Sequence, residues 1–311
     1  MVKPFLTYEE QLHKLKHEKH LLIPDEPFAL EKLREVGYFT LIGGYKEPFR
    51  DPMTRVYLPG VSFEDIYALY EFDARLRELF FRELCRIEKM MRSMVSYAFC
   101  EQFGESQEAY LNPEHYNLTD RTRQTIQKLI QILGRLAQSN TEHEFIAYQR
   151  RVHHNVPLWV LLNAVTFGQL SKMYSVLPFR VRSQVSRNFA HANERSLGQY
   201  LKVLVLYRNA CAHNERLFSH KVYSEIPDTP LHEKLGILRG GTQYTLGKRD
   251  LFAVVIAFCY LLPRDSFLAF KRLLKRLLSS YNKEDAAVDR DKLMSFMGFP
   301  KNWESITRYR L

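Results

Sequence analysis

Apolar residues recur at three- and four-residue steps along most of this chain, a spacing that predicts helices. The longest run without Gly or Pro goes from Phe63 to about Phe103. Ile66, Leu69, Tyr70, Leu76, Leu79, Phe80, Leu84, Ile87, Met91, Met94 and Val95 mark its apolar side. Ser62 starts it, and one very long helix or two stacked end to end fit it equally. Upstream, Thr7-x-x-Glu10 is a capping box that opens a helix from Tyr8 to about His20. A short helix follows Pro27 toward Val36. Gly37-Tyr38 and Gly43-Gly44-Tyr45 then predict turns, and residues 46–61, with Pro48, Pro52, Pro59 and Gly60, predict a loop with room for a short hairpin.

Further helices are predicted from Thr119 to about Gln138, over 141–151, from Pro157 through Val176, from Pro178 to about Ala190, and from about Asn193 to Asn214. A loop at about 219–248, carrying Pro227, Pro230 and Gly240-Gly241, is long enough to suggest function or mobility. Helices resume at about Arg249 and after Pro263, and a last one spans Asp289 to Met297. The pattern predicts an all-α fold. A boundary is expected near residue 60, between an N-terminal helical and turn-rich subdomain (1–60) and a larger helical domain (61–311).

One stretch, Leu201 to Leu217, joins an apolar run to polar chemistry: LKVLVLYRNACAHNERL. Arg208, Asn209 and His213 put a fixed cation, an amide and an imidazole near the end of a helix. Metal-independent RNA cleavage needs such groups. With 27 Arg and 11 His in the chain, chance alone gives about one Arg-x4-His pair; requiring Asn after the Arg lowers that to about 0.03. The structural alternative is a helix end where Arg208 and His213 pair with carboxylates or cap carbonyls. Asn209 and His213, four apart, share a helical face. Arg208 and His213, five apart, sit about 140° around an ideal helix. Either the helix ends between them, or the Arg side chain swings round, or each faces a different part of a shared cleft.

Charge favours a polyanionic partner. The 311 residues carry a net charge of +10 with a pI of about 9.3, which suits RNA, DNA or an acidic membrane surface, or serves solubility alone. Cys85, Cys100, Cys211 and Cys259 form no Cys-x-x-Cys pair and fit buried thiols in a reducing compartment. The N-terminus lacks a signal-peptide core, and the longest apolar run, Leu251 to Leu262, is too short to span a bilayer. A cytoplasmic location without membrane partners is expected.

Other candidates have less behind them. His13, His17 and His20 lie at i, i+4 and i+7, but no neighbouring Cys or His-Glu-x-x-His supports a metal, so a solvated face is the better reading. Gly241 to Lys248 has five residues between its glycines where a phosphate loop needs four, and Arg249 stands where Ser or Thr belongs; a nucleoside-triphosphate loop is rejected. Arg187-Asn188-Phe189-Ala190-His191 echoes the main motif one residue short, as an i, i+4 pair on one helical face. Lys271, Arg272, Lys275 and Arg276 alternate with four leucines, a basic face over a buried stripe and secondarily a phosphate-backbone stripe. Glu88 and Arg92 form an i, i+4 pair.

Several ordered pieces resemble one family. They are Gly37-Tyr38 with Gly44-Tyr45; Tyr70-Glu71-Phe72-Asp73-Ala74-Arg75-Leu76-Arg77; Ile87-Glu88 with Arg92-Ser93; Pro157-Leu158-Trp159 with Thr166-Phe167-Gly168-Gln169-Leu170-Ser171; and Tyr207-Arg208-Asn209 with His213-Asn214-Glu215-Arg216-Leu217. Together they resemble the Abi-like family, the AbiD/AbiF abortive-infection proteins of bacteria, over about residues 3 to 220. That family is similar to the HEPN superfamily of α-helical RNases, whose hallmark is Arg, a polar residue, then His after four to six positions. The resemblance implies a HEPN-like helical bundle, with Arg208, Asn209 and His213 as catalytic residues and Glu88, Arg92 and Arg216 as supporting or RNA-binding ones. It implies antiphage defence or a toxin–antitoxin role, RNA as substrate, and a structured small RNA as candidate antitoxin. No cofactor or metal is expected. One imidazole cannot be acid and base in one step, so a homodimer bringing two motifs together is expected. The rival reading is a non-catalytic module that holds a structured RNA.

Overall fold

The computed structural model describes residues 4–138, 142–281 and 288–309. Helix α1 (Tyr8–His13) opens on the Thr7–Glu10 capping box and widens into a π turn over Lys14–Glu18. Asp25 caps α2 (Glu26–Val36), which stops at Gly37, where φ is +85°. Residues 39–43 form a second π turn, and a single antiparallel bridge between Arg50 and Tyr57 closes the following loop.

The Phe63–Phe103 run is one helix, α3. Ser62 and Asp65 form a reciprocal capping box at its start, and Gly104, at φ +85°, ends it. α3 is the central beam of the fold. The helices α4 (Gln107–Leu111), α5 (Arg123–Gln138), α6 (Glu144–His153), α7 (Leu158–Leu161), α8 (Phe167–Val176), α9 (Phe179–Ser186) and α10 (Glu194–Ala212) follow. α7, α8, α9 and α10 all pack on α3, and α10 also packs on α8 and α9.

Three predicted helices differ in extent. The Pro157–Val176 helix is two, because Thr166 and Gln169 form a capping box that starts α8 afresh and breaks the ladder before it. α9 ends at Ser186, since the Asn188 side-chain amide donates to the carbonyls of Gln184 and Val185. Arg187 and His191 therefore do not share a helical face. α5 begins four residues after Thr119, whose hydroxyl instead engages that of Thr122. Of the predicted 141–151 helix, residue 141 lies outside the described residues.

The segment after α10 is packed rather than loose. It holds α11 (Pro230–Lys234) and a two-residue-per-strand hairpin, β1 (Arg239–Gly240) with β2 (Gln243–Tyr244). Val222 N–H donates to Arg249 at 2.9 Å and Ile226 N–H to Lys248 at 3.0 Å, tying its ends together. Fully buried His232 binds Thr229 and the Gly247 carbonyl, and Lys248 Nζ reaches Asp228 at 2.7 Å. Gly247 and Lys248, the end of the rejected phosphate loop, are thus structural.

Helix α12 (Leu251–Leu261) is buried at every residue but Cys259, which explains its unbroken apolar run. The helices α13 (Arg264–Ser280) and α14 (Arg290–Phe296) complete the α-helical set among the described residues. Phe267, Phe270, Leu274 and Leu278 turn α13 onto α3, leaving Arg272 and Arg276 exposed. The fold is all-α, as predicted. No helix among the described residues is long and apolar enough to cross a membrane.

Candidate functional site

Helix α10 buries Leu197, Leu201, Leu204, Tyr207 and Cys211, and the seam of that face fixes where Arg208 falls. Its guanidinium reaches α3. Nε donates to Glu88 Oε2 at 3.1 Å and Nη2 to Glu88 Oε1 at 3.4 Å. Arg92, one turn along α3, donates to the same Glu88 Oε1 and, at 2.8 Å, to the Val165 carbonyl just before α8. Glu88 is almost fully buried, whereas a quarter of each arginine side chain is open to solvent. One carboxylate thus serves two guanidiniums, leaving a surplus positive charge at the surface. Such planar donor forks match phosphate oxygens.

His213 stands at the end of α10, directly after its last residue, Ala212, and its N–H still donates to the Asn209 carbonyl at 2.9 Å. His213 is the C-cap, with φ −95° and ψ 12°. Asn214 follows at φ +53°, the left-handed conformation that Asn tolerates better than other non-glycine residues. Glu215 N–H then bonds Ala210 C=O at 2.9 Å and Asn214 N–H bonds Cys211 C=O at 3.2 Å, the paired bonds of a Schellman motif. The backbone meets its own carbonyls, so the His213 side chain is not needed as a cap. Asn209 and His213 are both exposed. Arg208 Nη1 lies 3.5 Å from Asn209 Oδ1, at the limit of a hydrogen bond.

A buried knot holds the chain beyond the helix end. Asp73 of α3, with no exposed surface, accepts from the N–H groups of Leu217 and Phe218 at 2.9 and 2.7 Å, from Tyr45 Oη at 2.8 Å and from Arg77 at 2.8 Å. Burial pushes the Asp73 carboxyl up; the Leu217 N–H, Arg77, Tyr45 and the Phe218 N–H oppose that shift. Burial likewise raises the Tyr45 hydroxyl, and Asp73 adds to the effect. Arg216 donates to the Gly44 carbonyl at 2.6 Å, with its guanidinium carbon 5.9 Å from the Phe218 ring centre. Arg216 therefore ties the turn to the N-terminal segment. Beside it, Glu215, Arg216, Ser219, His220 and Lys221 line an open depression of about 430 Å³.

The structure brings Glu88, Arg92 and Arg208 together, with Asn209 and His213 following on the same helix end. Reading the sequence did not foresee that Glu88 joins the two arginines, nor that Asp73, Tyr45 and Arg77 form one knot. The available signal was Asp73 and Arg77 at i, i+4 within an otherwise apolar stripe (Phe72, Leu76, Phe80), where a charge pair must be buried. Cys211 is also buried, which pushes its thiol up to about 12 and makes it a poor nucleophile. No group of three or more His, Cys, Asp and Glu among the described residues is placed to hold a metal; the His13 and His17 rings lie 4.4 Å apart, tilted by 39°.

No curated protein and no solved structure matches the chain. A family described as Abi-like protein matches residues 31–219, well over half of the chain, from α2 through the Asp73 knot to the turn after His213. The chain belongs to the Abi-like protein family, whose description links it to abortive infection.

Proposed function

We propose that this protein is a metal-independent endoribonuclease of the HEPN type, acting in antiphage abortive infection or as the toxin of a toxin–antitoxin pair. The observation that carries the reading is the meeting of Arg208 and Arg92 on Glu88, with His213 exposed five residues beyond Arg208 at the end of the same helix. RNA brings its own nucleophile, the 2′-hydroxyl. The imidazole of His213 takes or gives the proton in transfer. The surplus charge of Arg208 and Arg92 stabilises the phosphorane as negative charge builds on its oxygens. Asn209 orients the imidazole or the phosphate.

The 2′-oxygen attacks phosphorus, the bond to the 5′-oxygen breaks, and the leaving oxygen is protonated. The products are a 2′,3′-cyclic phosphate and a 5′-hydroxyl end. Each chain supplies one such imidazole, so the proposal includes a homodimer in which a second His213 is the complementary acid or base. The test is cleavage of labelled RNA in EDTA by wild type and His213→Ala. Equal rates, or a requirement for added metal, would reject the assignment.

A second reading has an observation of its own. Arg208 spends two donors on Glu88, as a purely structural arginine does. In that case the protein is a non-catalytic RNA-binding module that holds a structured small RNA. Arg208→Ala separates the two in a filter-binding assay run beside the cleavage assay. Cleavage lost with binding retained supports the enzyme.

A further inference from the structure

The largest of the cavities described lies away from Glu88. It has a volume of about 970 Å³, against about 310 to 430 Å³ for the others. It opens between the turn after α9, the junction of α12 with α13, and the C-terminal 3-10 turn at Trp303–Thr307. Met90 of α3 forms part of its wall. Met90 is two residues from Glu88, about 200° around the helix, so the cleft faces the opposite side of α3 from the Glu88–Arg208 pair.

The chemistry of its wall is uneven. Arg264, Arg308 and His191 line it, all exposed, and none of its described lining residues carries a carboxylate. Two acidic residues adjoin the lining in sequence: exposed Asp265, next to Arg264, and Glu304, whose carboxylate is engaged by Lys275 and Arg290. Its lining also includes the buried rings of Phe189, Tyr260 and Phe267 and half-buried Tyr309. Asn188 adds an amide: its nitrogen is used by the end of α9, and its oxygen remains to accept. A cleft of roughly 300–1,000 Å³ with an apolar floor and a few converging polar groups is the usual form of a small-molecule site. Guanidinium forks select phosphate, and aromatic and apolar walls select a flat ring. The residues Asn188 to His191, set aside by sequence as a failed echo of the main motif, thus acquire a place.

We propose that this cleft is a binding site for a nucleoside phosphate, separate from the Glu88–Arg208–His213 cluster. The phosphates lie on Arg264 and Arg308, and the base rests against the aromatic wall. The proposal does not depend on ribonuclease activity, because its readout is binding.

The test is isothermal titration calorimetry of the full chain with ATP, GTP, CTP and UTP separately, and with adenosine and inorganic triphosphate as partial probes. At least one nucleotide is expected to bind more tightly than either partial probe. Arg264→Gln with Arg308→Gln should weaken it about tenfold or more, the size of losing one charge-assisted hydrogen bond. Both arginines are exposed, and an unchanged circular dichroism melt confirms that the variant folds. His213→Ala, on the other side of α3, should bind as wild type does. The proposal fails if no nucleotide binds, if inorganic triphosphate binds as tightly, or if the double arginine variant binds unchanged. It also fails if His213→Ala abolishes binding, since the nucleotide then sits at the other cluster.

Discussion

Glu88 and Arg208 lie 120 residues apart in sequence and meet through two hydrogen bonds, Nε to Oε2 at 3.1 Å and Nη2 to Oε1 at 3.4 Å. The contact ties α10 to α3 at the point where Arg92 also reaches Glu88. Because the carboxylate is buried and both cations are partly wet, Glu88 sets the spacing of two guanidiniums that solvent and a substrate can reach. Glu88→Gln keeps the shape but removes the charge that holds them. It should cost about 1–3 kcal/mol of stability, measured by urea unfolding. If the proposed cleavage occurs, its rate should fall further than Arg92→Lys makes it fall, since only the former releases Arg208.

His213 offers a cleaner separation of folding from chemistry. The Schellman bonds of Glu215 and Asn214 already satisfy the helix end, and the imidazole is exposed. His213→Ala should therefore change stability by less than about 0.5 kcal/mol. Loss of a general acid or base should slow RNA cleavage by about 100-fold or more. A large drop in melting temperature would instead make the residue structural.

The turn itself depends on Asn214. At φ +53° a residue with a Cβ is strained, and Asn is among the few that tolerate it. Asn214→Gly should leave stability unchanged or slightly higher, whereas Asn214→Val should cost about 1–2 kcal/mol. Thermal melts of the two variants decide the point. Equal melts would mean that the helix end adopts another conformation.

The Asp73 knot should dominate the stability of this region. Asp73→Asn leaves Arg77 buried without its carboxylate and weakens the hold on Leu217 and Phe218. A loss of about 3–5 kcal/mol is expected, as for other broken buried pairs. Tyr45→Phe removes one hydrogen bond of the same knot and should cost about 1 kcal/mol. Chemical denaturation of both variants and of the double variant measures the coupling; additive losses would show that Tyr45 and Asp73 act independently.

How much of this was legible in the sequence follows the range of each signal. The capping box at Thr7, the helix start at Ser62 and the three- and four-residue spacing of α3 are local, and they appear in the structure where expected. The split between α7 and α8 was also written locally, as Thr166-Phe167-Gly168-Gln169. The apolar run around it continues through the break and masks it. Glu88 meeting Arg208 and Asp73 meeting Leu217 could not be read this way. They depend on how α3 and α10 cross, and no spacing within either helix encodes that. The loop at about 219–248 misled for a related reason. Its turn-rich composition signals irregular backbone, while the burial of His232 and Lys248 comes from partners elsewhere in the segment.

His232 makes that segment sensitive to pH. Burial lowers its pKa below the ordinary value of 6.5, and the neighbouring Lys248 adds to the effect, while the bonds to Gly247 and Thr229 and the Asp228 charge oppose it. As pH falls through the ordinary value, the unfolded chain takes up the proton first. Unfolding then binds protons, so the contribution of His232 is complete at neutral pH and declines below about 6.5. Asp250, pushed up to about 6 by burial, has the opposite sign, because its folded form takes the proton first. Half-buried His220 shares the sign of His232. The difference between wild type and His232→Gln therefore isolates this residue. Unfolding free energies measured by urea between pH 7.5 and 5 should fall more steeply for wild type than for the variant. Parallel curves would mean that His232 is protonated as readily in the fold as in the open chain.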